Sequence, residues 1–235
     1  MSPRPSARRT RVIAAVAMSA VAALAVTGCS QIVDTFNSVQ AATSGGEVVV
    51  TPTASPSPSM PFESAFTYDG SVSLSGDVAD DLEVRLDVWA VDPKRTMEWT
   101  PDNEKKFGFA VNVYDHRVDE KAVLAQKRRV YISSISITSQ TAQSSGQVQA
   151  PYQFSADPRA LVPPDTLRSD RGLLLNSFQG GLLVPEQSIR QLPADTHGLT
   201  LQFAMSVYVE GSANDDASFQ QQTVYQYLPI AIYPS

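Results

Sequence analysis

Residues 199–209 read LTLQFAMSVYV, the longest alternating segment of the 235-residue chain. Every second residue from Leu199 to Val209 is apolar, and the residues between them are polar, small or tyrosine. A period of two points side chains to opposite faces of a β-strand, so this pattern predicts a strand with one buried face. The turn-like sequence GSANDD follows at 211–216, and residues 219–233 are predicted to return as the partner strand.

The same alternation occurs earlier in the chain, at 82–90 and at 107–113. Both segments therefore predict half-buried strands. Runs rich in β-branched and aromatic residues add further predicted strands, at 66–74, 130–138, 152–156 and within 172–184. Only 119–127 indicates a short helix.

Proline is concentrated between residues 139 and 198. Because proline cannot donate a backbone hydrogen bond to a sheet, we expect long irregular loops there. The prolines of this region are Pro151, Pro158, Pro163, Pro164, Pro185 and Pro193. Residues 62–235 are thus predicted to form an all-β domain, an antiparallel immunoglobulin-like β-sandwich of seven to eight strands with long proline-rich loops.

The predicted sandwich resembles immunoglobulin-like and fibronectin-type-III-like domains of bacterial surface proteins. The resemblance is one of architecture: the segment LPADT at 192–196 is similar to a fibronectin-type turn, but the Cys, Trp and Cys framework of antibody domains is absent. No functional residue is carried over, because a shared fold does not imply a shared function.

The N-terminus has the composition of an export signal. Four arginines, the last of them Arg11, precede an apolar run at 12–26, and no acidic residue occurs before Asp34. A run of this length is shorter than the ~20 residues of a transmembrane helix, so a cleaved signal is favoured over an uncleaved anchor. The signal is rich in arginine and alanine and poor in lysine, and looks like that of an actinobacterial protein.

The apolar run ends in Val26-Thr27-Gly28-Cys29, which resembles the lipobox of bacterial lipoproteins. In that family the cysteine thiol receives a diacylglyceryl group, with acyl chains such as palmitate, and signal peptidase II cuts before the cysteine. The resemblance implies a signal peptide at 1–28 and a lipid anchor on Cys29, which holds the protein on the extracytoplasmic face of the cell membrane. Cys29 is the only cysteine, so no internal disulfide is expected.

Charge argues against a nucleic-acid partner. Removal of residues 1–28 removes four arginines and no acids, so the chain's 18 basic residues become 14 against 24 acidic ones, a net charge of −10. Such a domain repels both nucleic acid and anionic headgroups, and membrane attachment is expected through the lipid. Two acyl chains are sufficient for stable anchoring.

Residues 29–61 are predicted to be a flexible linker between the lipid and the sandwich. They carry only two charges, Asp34 and Glu47, and their prolines alternate with Ser, Thr and Ala. A flexible chain of this length spans roughly 30 Å. A short helix lying on the membrane is the alternative for the start of this segment, with its apolar face formed by Ile32, Val33, Phe36 and Val39.

Catalytic chemistry is not predicted. The only histidines, His116 and His197, each lie near an aspartate in sequence, but neighbouring residues on a strand point to opposite faces. No serine sits in a Gly-x-Ser-x-Gly turn. A small envelope hydrolase or accessory enzyme that uses one of these histidines remains the alternative from another functional class.

Metal and anion sites have weak candidates. Two acidic turns, at 77–81 and 214–216, offer oxygen ligands for calcium but lack EF-hand spacing, and turns favour Asn and Asp for backbone reasons. No metal or cofactor is therefore expected. Lys127-Arg128-Arg129 could bind a phosphate or an acidic partner, although solubility or protection of a strand edge is the favoured interpretation.

Aromatic residues are the main candidates for ligand or partner contact. The alternation places some of them on the face turned away from the core, where a ring with a polar tip can stack on a sugar or anchor a protein interface. These candidates are Trp89, Trp99, Tyr208, Tyr225 and Tyr227. The leading hypothesis is a non-enzymatic, lipid-anchored binding module of the cell envelope with a protein or glycan partner, and a carbohydrate-binding surface on Trp89 or Trp99 is a further alternative.

Overall fold

A computed structural model describes residues 62–66, 70–177 and 180–235. The predicted signal peptide, the lipidation site Cys29 and the predicted linker lie outside these residues. The described part confirms the all-β antiparallel sandwich.

Within the described residues, ten strands form two sheets, where seven to eight strands are predicted. The first sheet has four strands in the order β1-β2-β3-β8, and the second has β10-β9-β4-β7-β6, with β5 also paired to β4. The first three strands are a meander within one sheet. The strands are β1 (Ser71–Ala79), β2 (Leu82–Ala90), β3 (Lys105–Asp115), β4 (Val130–Gln143), β5 (Gln153–Ala156), β6 (Arg168–Ser169), β7 (Gly172–Leu174), β8 (Leu182–Ile189), β9 (Thr196–Glu210) and β10 (Phe219–Ala231).

Alternation along the strands builds the core between the sheets. In β9 the apolar positions from Leu199 to Val209 are buried and the positions between them are partly exposed, as the sequence predicts. Phe109 of β3 meets Phe203 of β9 edge to face, with ring centroids 5.6 Å apart. Aromatic pairs in this geometry stabilise a core beyond the area that they bury.

The second sheet is dominated by its three longest strands. β9 pairs with β10 over 13 residue pairs without a register shift, and it pairs with β4 along nearly the whole length of both strands. β4 extends to Gln143, beyond the predicted end at residue 138. The outermost strand of this side is β10.

Three predictions of local structure need correction. The first strand begins at Ser71 rather than at residue 66, because residues 62–66 lie beside β10, where the Ala65 amide donates to the Pro229 carbonyl at 2.8 Å. The predicted helix at 119–127 is reduced to one 3-10 turn, Leu124–Gln126. The strand predicted within 172–184 is two strands, β7 and β8, and β8 continues through Pro185 to Ile189, because an edge strand accommodates proline.

Lys105, the first residue of β3, is completely buried. Its Nζ donates to the carbonyl oxygens of Pro101, Asn103 and Arg190 at 3.0, 2.6 and 3.3 Å. Burial lowers the pKa of Lys105 to about 8, and the charge of Asp102 opposes that shift. The lysine therefore joins the start of β3 to the chain segment that leaves β8.

Candidate functional site

The outer surface of the second sheet carries no charged side chain over most of the length of four strands. One end of it is charged, because Glu210, the last residue of β9, pairs there with Arg129. Beyond that end, the outward residues of these strands are polar, small or aromatic. We call this surface the neutral face. It consists of Gln153 and Ser155 of β5, Ser134, Ser136, Thr138, Gln140 and Ala142 of β4, Thr200, Gln202, Ala204, Ser206 and Tyr208 of β9, and Gln221, Thr223, Tyr225, Tyr227, Pro229 and Ala231 of β10.

Two tyrosines protrude from the neutral face at its β10 side. Tyr225 and Tyr227 are 54% and 55% exposed and share one side of the strand. The amide of Gln202 lies 3.4 Å from the Tyr227 hydroxyl. Tyr208, the third predicted contact residue, is only partly exposed and pairs across the sheet with Tyr131. The neutral face therefore offers two aromatic rings beside rows of hydroxyl and amide groups.

Trp89 lies on the outer surface of the other sheet, facing away from the core as predicted. Its ring covers Gly108, the residue that pairs with it on β3. A Cβ built on Gly108 would lie 2.6 Å from the Trp89 ring, closer than any side chain permits. Trp89 is therefore partly buried against its own sheet, well away from Tyr225 and Tyr227.

Trp99 does not present an exposed ring, which corrects its place among the surface candidates. It is 6% exposed and meets Phe66 edge to face at a centroid distance of 5.6 Å. The amide of Tyr233 also donates to its backbone carbonyl at 2.9 Å. Trp99 belongs to the core, and one side of it lines a groove of about 340 Å³ next to the exposed Met97.

A polar network covers part of the outer surface of the first sheet, next to the end of β3 at Asp115. Glu83 accepts hydrogen bonds from Ser75 at 2.6 Å and from Arg85 Nε at 2.9 Å, and its other oxygen lies 2.9 Å from His116 Nε2. Hydrogen bonds from Arg85 and Ser75 lower the pKa of Glu83 to about 2. Arg85 also lies over the ring of Tyr114, 4.3 Å from its centroid.

This network differs in its order from a catalytic triad. In a triad the histidine receives the proton of the nucleophilic hydroxyl, and the acid orients the histidine from its far side. Here Ser75 and His116 both contact Glu83, so the carboxylate stands between the hydroxyl and the imidazole. The arrangement fits an ion-pair network that stabilises the sheet surface.

A groove of about 970 Å³ opens beside His116, between the end of β3, the loop that follows it, residues 175–177 and Gly180. Its charged lining is mixed in sign: Arg85, Lys121 and Lys127 lie near Glu120 and the ion-paired Asp115. Lys127 Nζ is also engaged, donating to the Glu120 carbonyl at 2.6 Å. The groove therefore shows no single charge preference for a ligand.

His197, the other histidine, lies at the start of β9 and is partly buried. Its ring meets Phe62 at a centroid distance of 6.0 Å in an edge-on arrangement, and its Nδ1 has no hydrogen-bond partner. His197 belongs to the second sheet, whereas His116 contacts Glu83 on the first sheet, so the two predicted histidines do not form one site.

In the basic cluster Lys127-Arg128-Arg129, both arginines form ion pairs with buried carboxylates of the same domain. Arg128 Nη2 lies 3.0 Å from Asp115, and these side chains are 4% and 0% exposed. Burial raises the pKa of Asp115, but hydrogen bonds from Arg117 and Arg128 outweigh it and hold that pKa below its usual range. Arg129 binds the buried Glu210 through its side chain and through its backbone amide, at 2.7 Å.

The two acidic turns are explained by their backbone. Asp81 and Asn214 have φ angles of 54° and 63°, the left-handed region that Asn and Asp tolerate best after glycine. Asp215 accepts the amide hydrogen of Ala217 at 3.0 Å. Within the described ranges, no three His, Cys, Asp or Glu side chains come together as a group that could hold a metal ion.

The neutral face is the feature that sequence reasoning missed. Its signal was present, because the outward positions of β4 and β10 contain Phe219 and otherwise Ser, Thr, Gln, Ala, Pro and Tyr, with no charged residue. The described segments contain no helix with the length and hydropathy that a membrane crossing requires. No protein-family model matches the chain, and neither a curated protein nor a solved structure is significantly similar to it.

Proposed function

We propose that the protein is a non-enzymatic binding module of the bacterial cell envelope, anchored by lipid on Cys29 to the extracytoplasmic face of the cell membrane. The signal sequence and the lipobox-like segment support the anchor. The linker at 29–61 would let the domain search the space near the membrane, and tethering raises the effective concentration of any partner held there. In this role the sandwich binds and does not catalyse.

The neutral face is the observation that carries this proposal. Acidic residues outnumber basic ones by 24 to 18 in the chain, yet none of either kind lies among the 18 residues of the neutral face, which ends before the Arg129–Glu210 pair. Tyr225 and Tyr227 expose more than half of their surface at the β10 edge of this region. Exposed tyrosines within a surface depleted of charge are typical of binding interfaces.

A neutral glycan is the partner class that this face fits best. Sugar hydroxyls both donate and accept hydrogen bonds, and so do the Ser, Thr and Gln side chains of the face. The apolar faces of sugar rings can stack on tyrosine, whose hydroxyl remains available to a polar group. An anionic ligand would gain no ion pair on this surface.

The hydrolase alternative has less support. His116 does contact an acid, Glu83, and a groove lies beside it. The hydroxyl of Ser75 donates to the same carboxylate rather than to the imidazole. With its pKa lowered to about 2, Glu83 is a weak base for activating a hydroxyl.

Binding of neutral oligosaccharides to the membrane-anchored protein tests the proposal. Tyr225→Ala with Tyr227→Ala should abolish retention on the glycan while leaving the circular dichroism spectrum unchanged. Leu183→Ala is the matched control, since Leu183 is 56% exposed on the outer surface of the other sheet. Retention that survives loss of both tyrosines, or turnover of ester or peptide substrates that His116→Ala abolishes, would contradict the proposal.

A further inference from the structure

The edges of the two sheets differ in how they are protected. β1 carries Asp77 and an irregular register at its end, and β8 contains Pro185, Glu186 and a register shift against β3. β6 has only two residues. Charges, prolines, bulges and short length are the devices by which proteins prevent edge strands from pairing with other chains.

β10 largely lacks these devices. It is 13 residues long, pairs with β9 without a register shift and contains no charged residue. Its single proline, Pro229, lies near one end. A long, regular and uncharged edge is a template for strand addition.

The hydrogen-bond pattern of β10 shows which of its backbone amide and carbonyl groups point away from β9. The Pro229 carbonyl accepts the Ala65 amide at 2.8 Å, so residue 229 directs its backbone away from β9. Alternate residues of an antiparallel strand share this direction. Gln221, Thr223, Tyr225 and Tyr227 therefore turn their amide and carbonyl groups outward, and no described backbone group pairs with them on that side.

We propose that a second copy of this chain binds there, by antiparallel pairing of β10 with β10. A two-fold axis at Val224 places Thr223 opposite Tyr225 of the other copy, and Gln221 opposite Tyr227. All four outward residues of each strand are then used, in four facing pairs with about eight backbone hydrogen bonds. The register ends before Pro229, where residues 62–66 already cover the edge.

The distribution of charge favours the β10 edge as the place where two copies of this acidic chain meet. The chain has a net charge of −6, so most contacts between identical copies bring acid towards acid. β10 and the neutral face beside it carry no charge, and like strands can meet there without repulsion. The isologous pairing also closes on itself as a dimer and does not continue as a fibre. This dimer does not depend on glycan binding by the neutral face.

Native mass spectrometry of the full-length protein, solubilised from bacterial membranes in mild detergent, tests the dimer. Wild type should be dimeric in a concentration-dependent equilibrium. Thr223→Pro removes an outward amide that β9 does not use, as Pro229 does naturally, and should weaken dimerisation on the order of tenfold or more. Thr223→Val is the matched control, because it keeps the amide and should remain dimeric.

A charge-pair experiment tests the register and does not require the proline variant to fold. Thr223→Lys alone should weaken the homodimer, because its two lysines lie diagonally across the axis. Mixing it with Tyr225→Glu should restore a heterodimer, because Lys and Glu then face each other across the new pair. A monomeric wild type, an undiminished Thr223→Pro dimer, or no heterodimer in the mixture would overturn the proposal. Loss of oligosaccharide retention with an intact dimer would concern only the binding role.

Discussion

Replacement of Asp115 by alanine should destabilise the domain more than loss of any surface ion pair. Asp115 is fully buried at the end of β3 and accepts hydrogen bonds from the side chains of Arg117 and Arg128 and from the Arg128 amide at 2.9 Å. Its removal leaves the Arg128 guanidinium, 4% exposed, without its carboxylate. Breaking a buried pair in this way costs about 3–5 kcal/mol.

For a domain of this size, that loss corresponds to a decrease in melting temperature of roughly 10 °C. Thermal unfolding followed by circular dichroism measures it. Asp216→Ala is the control, since Asp216 also pairs with an arginine, Arg129, but its side chain is 74% exposed. Exposed pairs of this kind contribute at most about 1 kcal/mol.

The double variant Asp115→Leu with Arg128→Met gives a sharper test, because it removes the buried guanidinium of Arg128 together with its carboxylate partner. It should be more stable than Asp115→Ala alone, since a buried ion pair can be replaced by apolar residues at little cost. Equal melting temperatures for Asp115→Ala and Asp216→Ala would refute the reasoning.

Three further predictions concern other parts of the molecule. Hydrogen bonds lower the pKa of Glu83 from 4.5 to about 2, so this carboxylate stabilises the fold above pH 4.5, and that contribution is lost as the pH falls towards 2. The melting temperature of Glu83→Gln should therefore decline less over this pH range than the melting temperature of wild type. Gly108→Val should lower the free energy of unfolding in urea by about 1–3 kcal/mol, because a side chain there collides with the Pro185 carbonyl and with the Trp89 ring, whereas an unchanged midpoint would contradict these close contacts. Cys29→Ser should move the protein out of the detergent phase, and mass spectrometry of the mature N-terminus should find diacylglyceryl on Cys29 in wild type only.

Alternation predicted the central strands well. β2 was predicted at residues 82–90, where the structure has it, and the buried positions of β9 are the predicted apolar ones. Both strands lie inside a sheet with one face on the core, so burial alone imposes the period of two. The prediction was weaker for β1, expected at 66–74 and found at Ser71–Ala79, and for β8, in which Pro185, Glu186 and Gln187 interrupt the apolar alternation.

The candidate site was predicted only in part. Exposure of Tyr225 and Tyr227 follows from the period of β10, whereas burial of Trp99 depends on Phe66 and Tyr233, which are distant in sequence. Glu83 likewise occupies an outward position in β2 and is nevertheless buried beneath its partners. Pairing between distant segments overrides the local pattern in these cases.

The amino-acid order alone was enough to establish the strand period, the turns, the acidic balance and the absence of internal disulfides, because each of these depends on local composition. Which surface lacks charge, which strand lies at an open edge and which arginines are consumed by internal carboxylates depend on the order of strands in the sheets. That order is set by contacts across long sequence separations, such as Arg129 with Glu210 and Ala65 with Pro229. Local periodicity says which face of a strand is buried, but it does not specify the neighbouring strand, so only the tertiary structure could bring the neutral face and the β10 edge together.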